Sequence, residues 1–390
     1  MNRNIILSYF LAALKNSWFW LGIWVFYYLR YTNYAGIGLI ETVLIVTMTV
    51  MEIPTGAIAD LLGKKLTLIF SFLLQAACQL IMAFAPNLSF LLLSVFIGGI
   101  GGALYSGTID ALAYDSLKQE GREEKFSKVL GNMTSFQYIM MAVTGIVGGF
   151  MYLIEPRLPF VASGIFYLIG FMLCFLLIEP KIDTERFSFM SFINQNKQGL
   201  KQLFSSENIR KIIILLLIVS AVAEISDEIL NDVLAVEFGF KPDQLGIFIS
   251  VVSLIAVGIS QIAPKIVKRL NGVLGITFLG ILIAITYFIS PWLGFVSGGA
   301  SLLLRVSFQT IYNNMTSVVI NKFTESKYRA TTISSYNMIK NIPYVLSAFF
   351  LGSLMDIITA KRFALVLGIM MIILLLIQSY RARNLIKQAG

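Results

Sequence analysis

The chain is built from repeated blocks of about twenty consecutive apolar residues, and this repetition restricts the folds that it can adopt. A helix of that length crosses a hydrocarbon core of about 30 Å. Lipid offers no partners to backbone polar groups, so only helices and closed barrels can span it. The blocks are continuous apolar runs, whereas the strands of a barrel alternate between apolar and polar residues. The sequence therefore predicts an all-α membrane protein.

The runs predict about twelve transmembrane helices. Hydrophobic residues make up 57% of the 390 positions and charged residues only 13%, which is about half of the charged share in an average soluble domain. A soluble protein of this size has no core large enough to bury so much apolar surface. The predicted spans are 5–29, 37–60, 66–85, 88–113, 127–153, 158–178, 211–234, 243–264, 272–290, 293–318, 330–354 and 363–380.

The basic residues are distributed unevenly between the two sides of the predicted membrane. Of the 30 Lys and Arg residues, 22 fall in inner loops and tails if both termini are cytoplasmic, five fall in outer loops, and three fall inside spans. This asymmetry follows the positive-inside rule. It accounts for the net charge of +9 without a nucleic-acid partner, and it predicts a multi-pass protein of the plasma or inner membrane with cytoplasmic termini.

The spans fall into two sets of six. The longest polar stretch, 179–210, separates an N-terminal bundle at 1–178 from a C-terminal bundle at 211–390. Part of this stretch, near 187–204, is either an amphipathic helix on the inner leaflet or a flexible linker. The two halves share features at an offset of about 202–205 residues, which is typical of transporters with a substrate site between two repeats. The matching pairs are Pro86 with Pro291 and Lys64-Lys65 with Lys268-Arg269.

The loop after the second span carries a recognisable motif. It contains Gly56, Asp60, Gly63 and the pair Lys64-Lys65, with Leu61 directly after the aspartate. Glycine permits close approach and tight turns, and a carboxylate at an inner helix end can face the positive N-terminal end of another helix. Here that helix is the eleventh span, across the seam between the halves.

This motif resembles the loop signature of the Major Facilitator Superfamily, G-x-x-x-D-R-x-G-R-K, at the same place between spans two and three. Leu61 replaces the usual arginine. The resemblance implies two pseudo-symmetric six-helix bundles, alternating access and a cytoplasmic gate. In that gate, Lys64 and Lys65 would contact Asp110 or Asp115 in one state and release it in the other. The alternative is that both lysines serve only as topology signals.

A second, looser resemblance lies in span five. Residues 144–149, Thr-Gly-Ile-Val-Gly-Gly, are similar to the G-P-x-x-G-G signature of proton-coupled antiporters of this superfamily, without its proline. The resemblance implies export. Glycines at this spacing are also common packing residues in membrane bundles.

Ionisable residues at membrane depth predict the functional centre, because each costs about 2.5–3.5 kcal/mol at the middle of a span. Glu224, Asp227, Glu228 and Asn231 occupy positions i, i+3, i+4 and i+7 of span seven. This spacing predicts one helical face. The alternative is that span seven ends early and that the acidic residues lie in an outer loop.

Three cations lie at similar depths in other spans: Lys15, Arg305 and Lys340. Charges of both signs at one depth predict a shared water-filled cavity, since neither is stable facing lipid. Neighbouring side chains complete the predicted substrate cavity: Asn16, Phe19, Gln309, Asn337 and Asn341.

Proton coupling in this chain would need a carboxylate, because it contains no histidine. Glu224 is the first candidate and Glu52, in span two, the second. Glu52 is predicted to be buried, and its alternative role is a structural ion pair with Lys15.

These features predict a secondary transporter, most simply a proton-coupled antiporter that exports a small amphipathic molecule or drug as a monomer. The alternative is an importer, or a lipid or metabolite exporter, of the same fold. The sequence lacks a P-loop, and with no histidine and two separated cysteines, Cys78 and Cys174, it lacks the usual means of building metal or catalytic sites. We therefore expect no cofactor, no metal and no enzymatic activity.

Overall fold

A computed structural model describes residues 2–180, 190, 197, 201, 203–205, 207–270, 272–323 and 329–382. Within these ranges it leaves out the side chains of 53, 56–61, 208, 272, 321–323, 329–331 and 334. Most of the predicted central loop at 179–210, with its possible surface helix, lies outside the described residues.

All secondary-structure elements of the described residues are helices. The first half contains α1 to α8: Arg3–Lys15, Trp24–Tyr28, Tyr34–Leu62, Lys64–Ala83, Leu88–Tyr105, Thr108–Lys118, Phe126–Ile154 and Leu158–Cys174. The second half contains α9 to α15: Glu207–Ile225, Asn231–Phe238, Pro242–Arg269, Gly272–Phe288, Phe295–Phe323, Arg329–Ile358 and Ala360–Ala382. A single π-helical turn, Ser226–Leu230, joins α9 to α10.

Seven of these helical segments are long and apolar enough to cross a membrane by length and composition. They are 34–52, 64–83, 88–118, 123–154, 242–269, 335–358 and 360–382, and two shorter apolar helices cover 158–174 and 273–288. The remaining predicted spans correspond to α1 with α2, to α9 with α10, and to α13. These three are interrupted or carry polar side chains in their interior.

The first span is not the continuous helix that its apolar residues predict. Helix α1 ends at Lys15 and α2 begins at Trp24. Two polar side chains bond the last carbonyls of α1: Asn16 Nδ2 donates to Ala12 O at 2.9 Å and Ser17 Oγ donates to Leu14 O at 2.6 Å. Because these groups satisfy the carbonyls that a helix end leaves free, the helix can stop within the apolar run.

The fourth span is also divided. Gly107, between α5 and α6, has a φ of 71°, which is a left-handed conformation that favours glycine. The helix therefore turns at this residue, and α6 carries Asp110 and Asp115 in a segment of its own.

The chain forms two compact units, each with its own packing. Unit 1 contains Met1–Phe189 and Lys241–Val251, and unit 2 contains Met190–Phe240 and Val252–Gly390. Unlike the predicted bundles, this division groups the first part of α11 with unit 1.

The helix pairs of the two units correspond at the offset expected for a repeat. In unit 1, α4 packs against α5 and α8, and α1 packs against α7 and α8. In unit 2, α12 packs against α13 and α15, and α9 packs against α14 and α15. Each pair of unit 2 is the counterpart of a pair in unit 1. The prediction of two pseudo-symmetric bundles agrees with this packing.

A carboxylate holds a helix N-terminus in each unit. Glu179 accepts hydrogen bonds from the backbone N–H groups of Lys64 and Lys65 at 2.8 and 2.7 Å, at the start of α4. Glu237 accepts from the N–H groups of Ala360 and Lys361 at 2.7 and 2.9 Å, at the start of α15. A negative charge is favourable there because the first N–H groups of a helix lack internal partners.

Candidate functional site

An ion pair between two helices forms the centre of the site in unit 2. Glu224 Oε2 lies 2.7 Å from Lys340 Nζ, joining α9 to α14. The exposed fractions of the two side chains are 16% and 26%, so the protein does not fully enclose either partner. With its amide nitrogen facing the acceptors, Asn341 donates to Glu224 Oε1 at 2.9 Å and to Asn337 O at 3.0 Å. One turn earlier, Ser220 Oγ and Tyr336 OH lie 2.8 Å apart.

The acidic stripe of span seven passes through the π-helical turn at Ser226–Leu230. Ser226 Oγ donates to Asn231 Oδ1 at 2.8 Å, a bond between side chains five residues apart. The regular helical spacing from which one common face was predicted therefore does not hold after Glu224. Turns of this kind occur frequently at functional sites.

Asn231 connects this turn to a buried guanidinium. Its Oδ1 also accepts a hydrogen bond from Arg305 Nη1 at 2.8 Å, and its Nδ2 donates to Asp227 Oδ1 at 3.3 Å. Asn231 thus forms hydrogen bonds with both a cation and a carboxylate, and these two groups do not form an ion pair with each other. Asp227 and Glu228 are both exposed on unit 2.

Arg305 is enclosed by the protein, whereas the sequence predicted that it would line a water-filled cavity. Its side chain has 0% exposure. Nε donates to Thr286 Oγ1 at 3.0 Å, and Nη2 donates to Thr286 O at 3.0 Å. The guanidinium carbon lies 3.9 Å from the ring centre of Tyr287. Hydroxyl, carbonyl and ring groups of α12 thus take the place of a carboxylate partner.

Gln309 follows Arg305 by one turn of α13 and is also buried, with 4% exposure. Its Nε2 donates to the Tyr287 hydroxyl at 3.4 Å. This predicted cavity residue belongs to the packing around Arg305, whereas Asn337 on α14 is exposed.

Lys15 in unit 1 lies among three aromatic rings. Its Nζ is 5.5 Å from the ring centre of Tyr105, 5.7 Å from that of Tyr167 and 5.9 Å from that of Trp18. Cation–π attraction stabilises an ammonium at such distances. Within the described part of the chain, no carboxylate lies within ion-pair distance of Lys15.

Two residues of unit 1 have surroundings that the sequence did not predict. Glu52, expected to be buried, is exposed on α3, and its alternative ion pair with Lys15 does not form. Phe19, a predicted wall of the substrate cavity, has only 5% exposure, and its ring packs edge-on against Phe166 at 5.1 Å. The chain turns sharply between α1 and α2, and this turn directs Phe19 into the core.

A second ion pair joins the first residue of α4 to α6. Lys64 Nζ lies 2.6 Å from Asp115 Oδ2, and the exposed fractions of the two side chains are 15% and 4%. Lys65 instead donates to Phe175 O at 2.8 Å, and Asp110 is half-buried. Gly63 between the helices has a φ of 89°. The surroundings of Gly56 and the side chain of Asp60 lie outside the part of the chain that the structure describes.

The glycine segment of α7 packs against the first part of α11 inside unit 1. A Cβ on Gly246 would meet the carbonyl oxygen of Gly145, and one on Gly149 would lie 2.9 Å from the Asp243 Cα. Ser250 Oγ donates to Ala142 O at 2.9 Å beside this contact. The glycines therefore allow two backbones to touch, as expected for small residues in membrane bundles.

Several site residues escaped the sequence-based predictions. Thr286, Tyr287 and Ser290 supply the surroundings of Arg305, and their signal was a group of hydroxyl residues in an otherwise apolar span. Tyr105 and Tyr167 surround Lys15, but no pattern distinguished them from other aromatic residues of the spans. Among the residues described, no group of three Cys, Asp or Glu side chains could hold a metal ion.

Comparison with known proteins identifies the family. The sequence profile of the Major Facilitator Superfamily matches residues 5–348. The chain belongs to this superfamily. It is therefore an integral membrane transporter rather than an enzyme, and the prediction of an all-α, twelve-span fold is confirmed.

Two curated relatives are similar over different lengths. YxaM of Bacillus subtilis (strain 168), an uncharacterized MFS-type transporter, is 20% identical over 340 residues, covering 85% of this chain and 83% of its own. The quinolone resistance protein NorA of Staphylococcus aureus (strain Mu50 / ATCC 700699) is 27% identical over 192 residues. That match covers 47% of each chain.

Solved structures of other transporters share the fold over nearly the whole length of this chain. The nucleoside transporter NupG superposes with a TM-score of 0.76 at 16% identity, covering 96% of this chain and 97% of NupG. A POT family transporter in complex with 5-aminolevulinic acid has a TM-score of 0.76 at 12% identity, covering 98% and 97% of the two chains.

Proposed function

We propose that this protein is a secondary active transporter that exports a small amphipathic molecule in exchange for protons. The observation that carries the proposal is the Glu224–Lys340 ion pair, 2.7 Å long and only partly buried between α9 and α14. Both termini are then cytoplasmic, as the charge distribution favours, and the working unit is a monomer.

The pair provides a simple means of coupling. A proton that binds Glu224 removes its negative charge and with it the Coulomb attraction to Lys340. An unpaired cation in a partly buried position is costly, so protonation favours a rearrangement of α14 against α9. Asn341 donates to the same carboxylate, so protonation of Glu224 would also remove the charge from the acceptor of this hydrogen bond. Asp227 and Glu228, exposed one turn further, supply additional proton or substrate contacts.

Two features of unit 1 take complementary roles in this proposal. Lys15 lies among three aromatic rings and has Asn16 beside it. It provides a positive charge in apolar surroundings, which suits an amphipathic substrate. The Lys64–Asp115 pair acts as part of a cytoplasmic latch. The likeness to a quinolone resistance protein supports export of a drug-like molecule.

The experiment uses a bacterial strain that lacks its own exporters. A panel of amphipathic toxic compounds identifies a substrate by resistance that collapses when the proton gradient is dissipated. Inside-out vesicles with an acidic interior then measure proton-driven uptake of that substrate, and counterflow without a gradient measures exchange alone. We expect Glu224→Gln to lower proton-driven uptake at least about tenfold and to retain counterflow, because only the proton-binding group is removed.

Glu155→Gln is the matched control, since Glu155 is an exposed carboxylate whose nearest cation, Arg157, lies 4.0 Å away. It should leave both activities unchanged. Proton-driven uptake at the wild-type rate in the Glu224 variant would exclude Glu224 from coupling. Accumulation of the substrate by intact cells, driven by the gradient, would instead show an importer.

A further inference from the structure

A cleft at the N-terminal end of α1 lies outside the site described above. Its volume is about 400 Å³, which is within the usual range for ligand pockets of about 300–1,000 Å³. Helix α1, the end of α6 and the start of α7 form its walls. The lining residues are Asn2, Ile5, Tyr9, Leu117, Glu120, Arg122, Lys125, Lys128, Val129 and Asn132.

The rim of the cleft carries an excess of positive charge. Arg122 Nη1 lies 3.2 Å from Glu120 Oε2, so these two charges compensate each other. Asn2 Nδ2 donates to the other oxygen of Glu120 at 2.8 Å. Lys125 and Lys128 have no ion pair within the described part of the chain, and both are exposed. The cleft therefore has a net charge of about +2 and favours an anion.

The floor of the cleft is apolar. Ile5, Leu117 and Val129 have exposed fractions of 3%, 3% and 6%. Asn132 Nδ2 donates to the Tyr9 hydroxyl at 3.3 Å, and the Tyr9 ring stacks on Phe136 at 5.6 Å. The cleft thus combines a charged rim with an aromatic wall.

Exposed apolar side chains continue from this wall along α1 and α7. Phe10 is 51% exposed, Phe136 42% and Ile139 62%. Helix α7 belongs to a segment that is long and apolar enough to cross a membrane, and apolar side chains exposed on such a helix match acyl chains. A ligand with a negative head and long apolar tails therefore matches both the cleft and its continuation.

We propose that this cleft binds the headgroup of an anionic phospholipid of the inner leaflet, with its phosphate between Lys125 and Lys128 and its acyl chains along Phe136 and Ile139. Basic pockets between transmembrane helices on the cytoplasmic side bind lipid headgroups of this class. The charge, the volume and the apolar continuation each contribute, and a soluble phosphate compound would use only the first two.

The test measures thermal stability of the purified full chain by size-exclusion chromatography after heating. Wild-type protein in nanodiscs of phosphatidylcholine is compared with protein in nanodiscs that contain one-third phosphatidylglycerol. We expect phosphatidylglycerol to raise the midpoint temperature, and the double variant Lys125→Gln/Lys128→Gln to lose at least half of that increase. Lys125→Arg/Lys128→Arg should retain it, because the positive charges remain.

The double variant Lys265→Gln/Lys268→Gln is the matched control. It removes the same charge from exposed positions at the C-terminal end of α11, and it should keep the full increase. An equal loss in this control would show that general surface charge is responsible, which overturns the proposal. Stabilisation by glycerol 3-phosphate in phosphatidylcholine nanodiscs would assign the cleft to a soluble phosphate and would overturn the lipid assignment.

Discussion

Arg305→Lys tests whether the geometry around the buried guanidinium stabilises unit 2. The arginine makes three hydrogen bonds of 3.0 Å or less, two to Thr286 and one to Asn231. A lysine keeps the charge but presents a single ammonium, which cannot reproduce the planar fork. It therefore loses about two bonds.

The expected cost follows from this loss. Hydrogen bonds to charged groups contribute about 1.5–3 kcal/mol each, and side-chain bonds inside membrane bundles contribute less, about 0.6 kcal/mol on average and at most about 1.7 kcal/mol. Two lost bonds therefore cost about 1–3 kcal/mol. For a unit of about 200 residues, each kcal/mol shifts the midpoint temperature by about 2–4 °C. The midpoint of the variant should fall by about 2–12 °C.

The assay is thermal inactivation of the purified protein in detergent, followed by size-exclusion chromatography. Arg362→Lys, the same change at an exposed guanidinium of unit 2, should move the midpoint by less than about 2 °C, because surface substitutions usually change stability within about 0.5 kcal/mol. If Arg305→Lys also stays within 2 °C of the wild type, the hydrogen-bonded fork does not contribute to the stability of unit 2.

Two further predictions concern unit 1. Gly246→Val should lower stability by about 1–3 kcal/mol through overpacking, because its Cβ would meet the Gly145 carbonyl. Gly258→Val should not lower stability, since no atom lies within 4 Å of the corresponding Cβ. Equal losses for the two variants in the same heating assay would contradict this reasoning. Lys64→Gln should leave the buried Asp115 uncompensated and cost more than the double variant Lys64→Gln/Asp115→Asn. Additive losses, to within about 0.5 kcal/mol, would mean that the two side chains are not coupled.

The sequence predicted the fold because the patterns that indicate the fold depend on lipid, the solvent that surrounds the helices. Apolar runs of membrane length follow from the cost of placing polar groups in lipid, and the uneven distribution of basic residues follows the positive-inside rule. Repeated features at a fixed offset are typical of transporters built from two repeats. The same cost drew attention to Glu224, Lys340 and Arg305, since a charge at membrane depth requires a partner. These signals are local in sequence, so they can be read without a structure.

The sequence could not predict which partner each charge would have. Glu224 and Lys340 are 116 positions apart, and their contact depends on the packing of α9 against α14. Lys15 has aromatic neighbours, Tyr105 and Tyr167, which approach it from α5 and α8. The ion pair with Glu52, which the sequence left open as an alternative, does not form. Phe19 entered the core because Asn16 and Ser17 end α1 early.

The apolar runs and the charges within them already indicated a chain that crosses a membrane as two similar bundles. The tertiary structure was needed to show that Thr286 and Tyr287 enclose Arg305, whereas Glu224 and Lys340 are only partly buried. Transfer into lipid depends on the composition of each segment, whereas the pairing of a charge depends on side chains that distant helices bring within 3 Å.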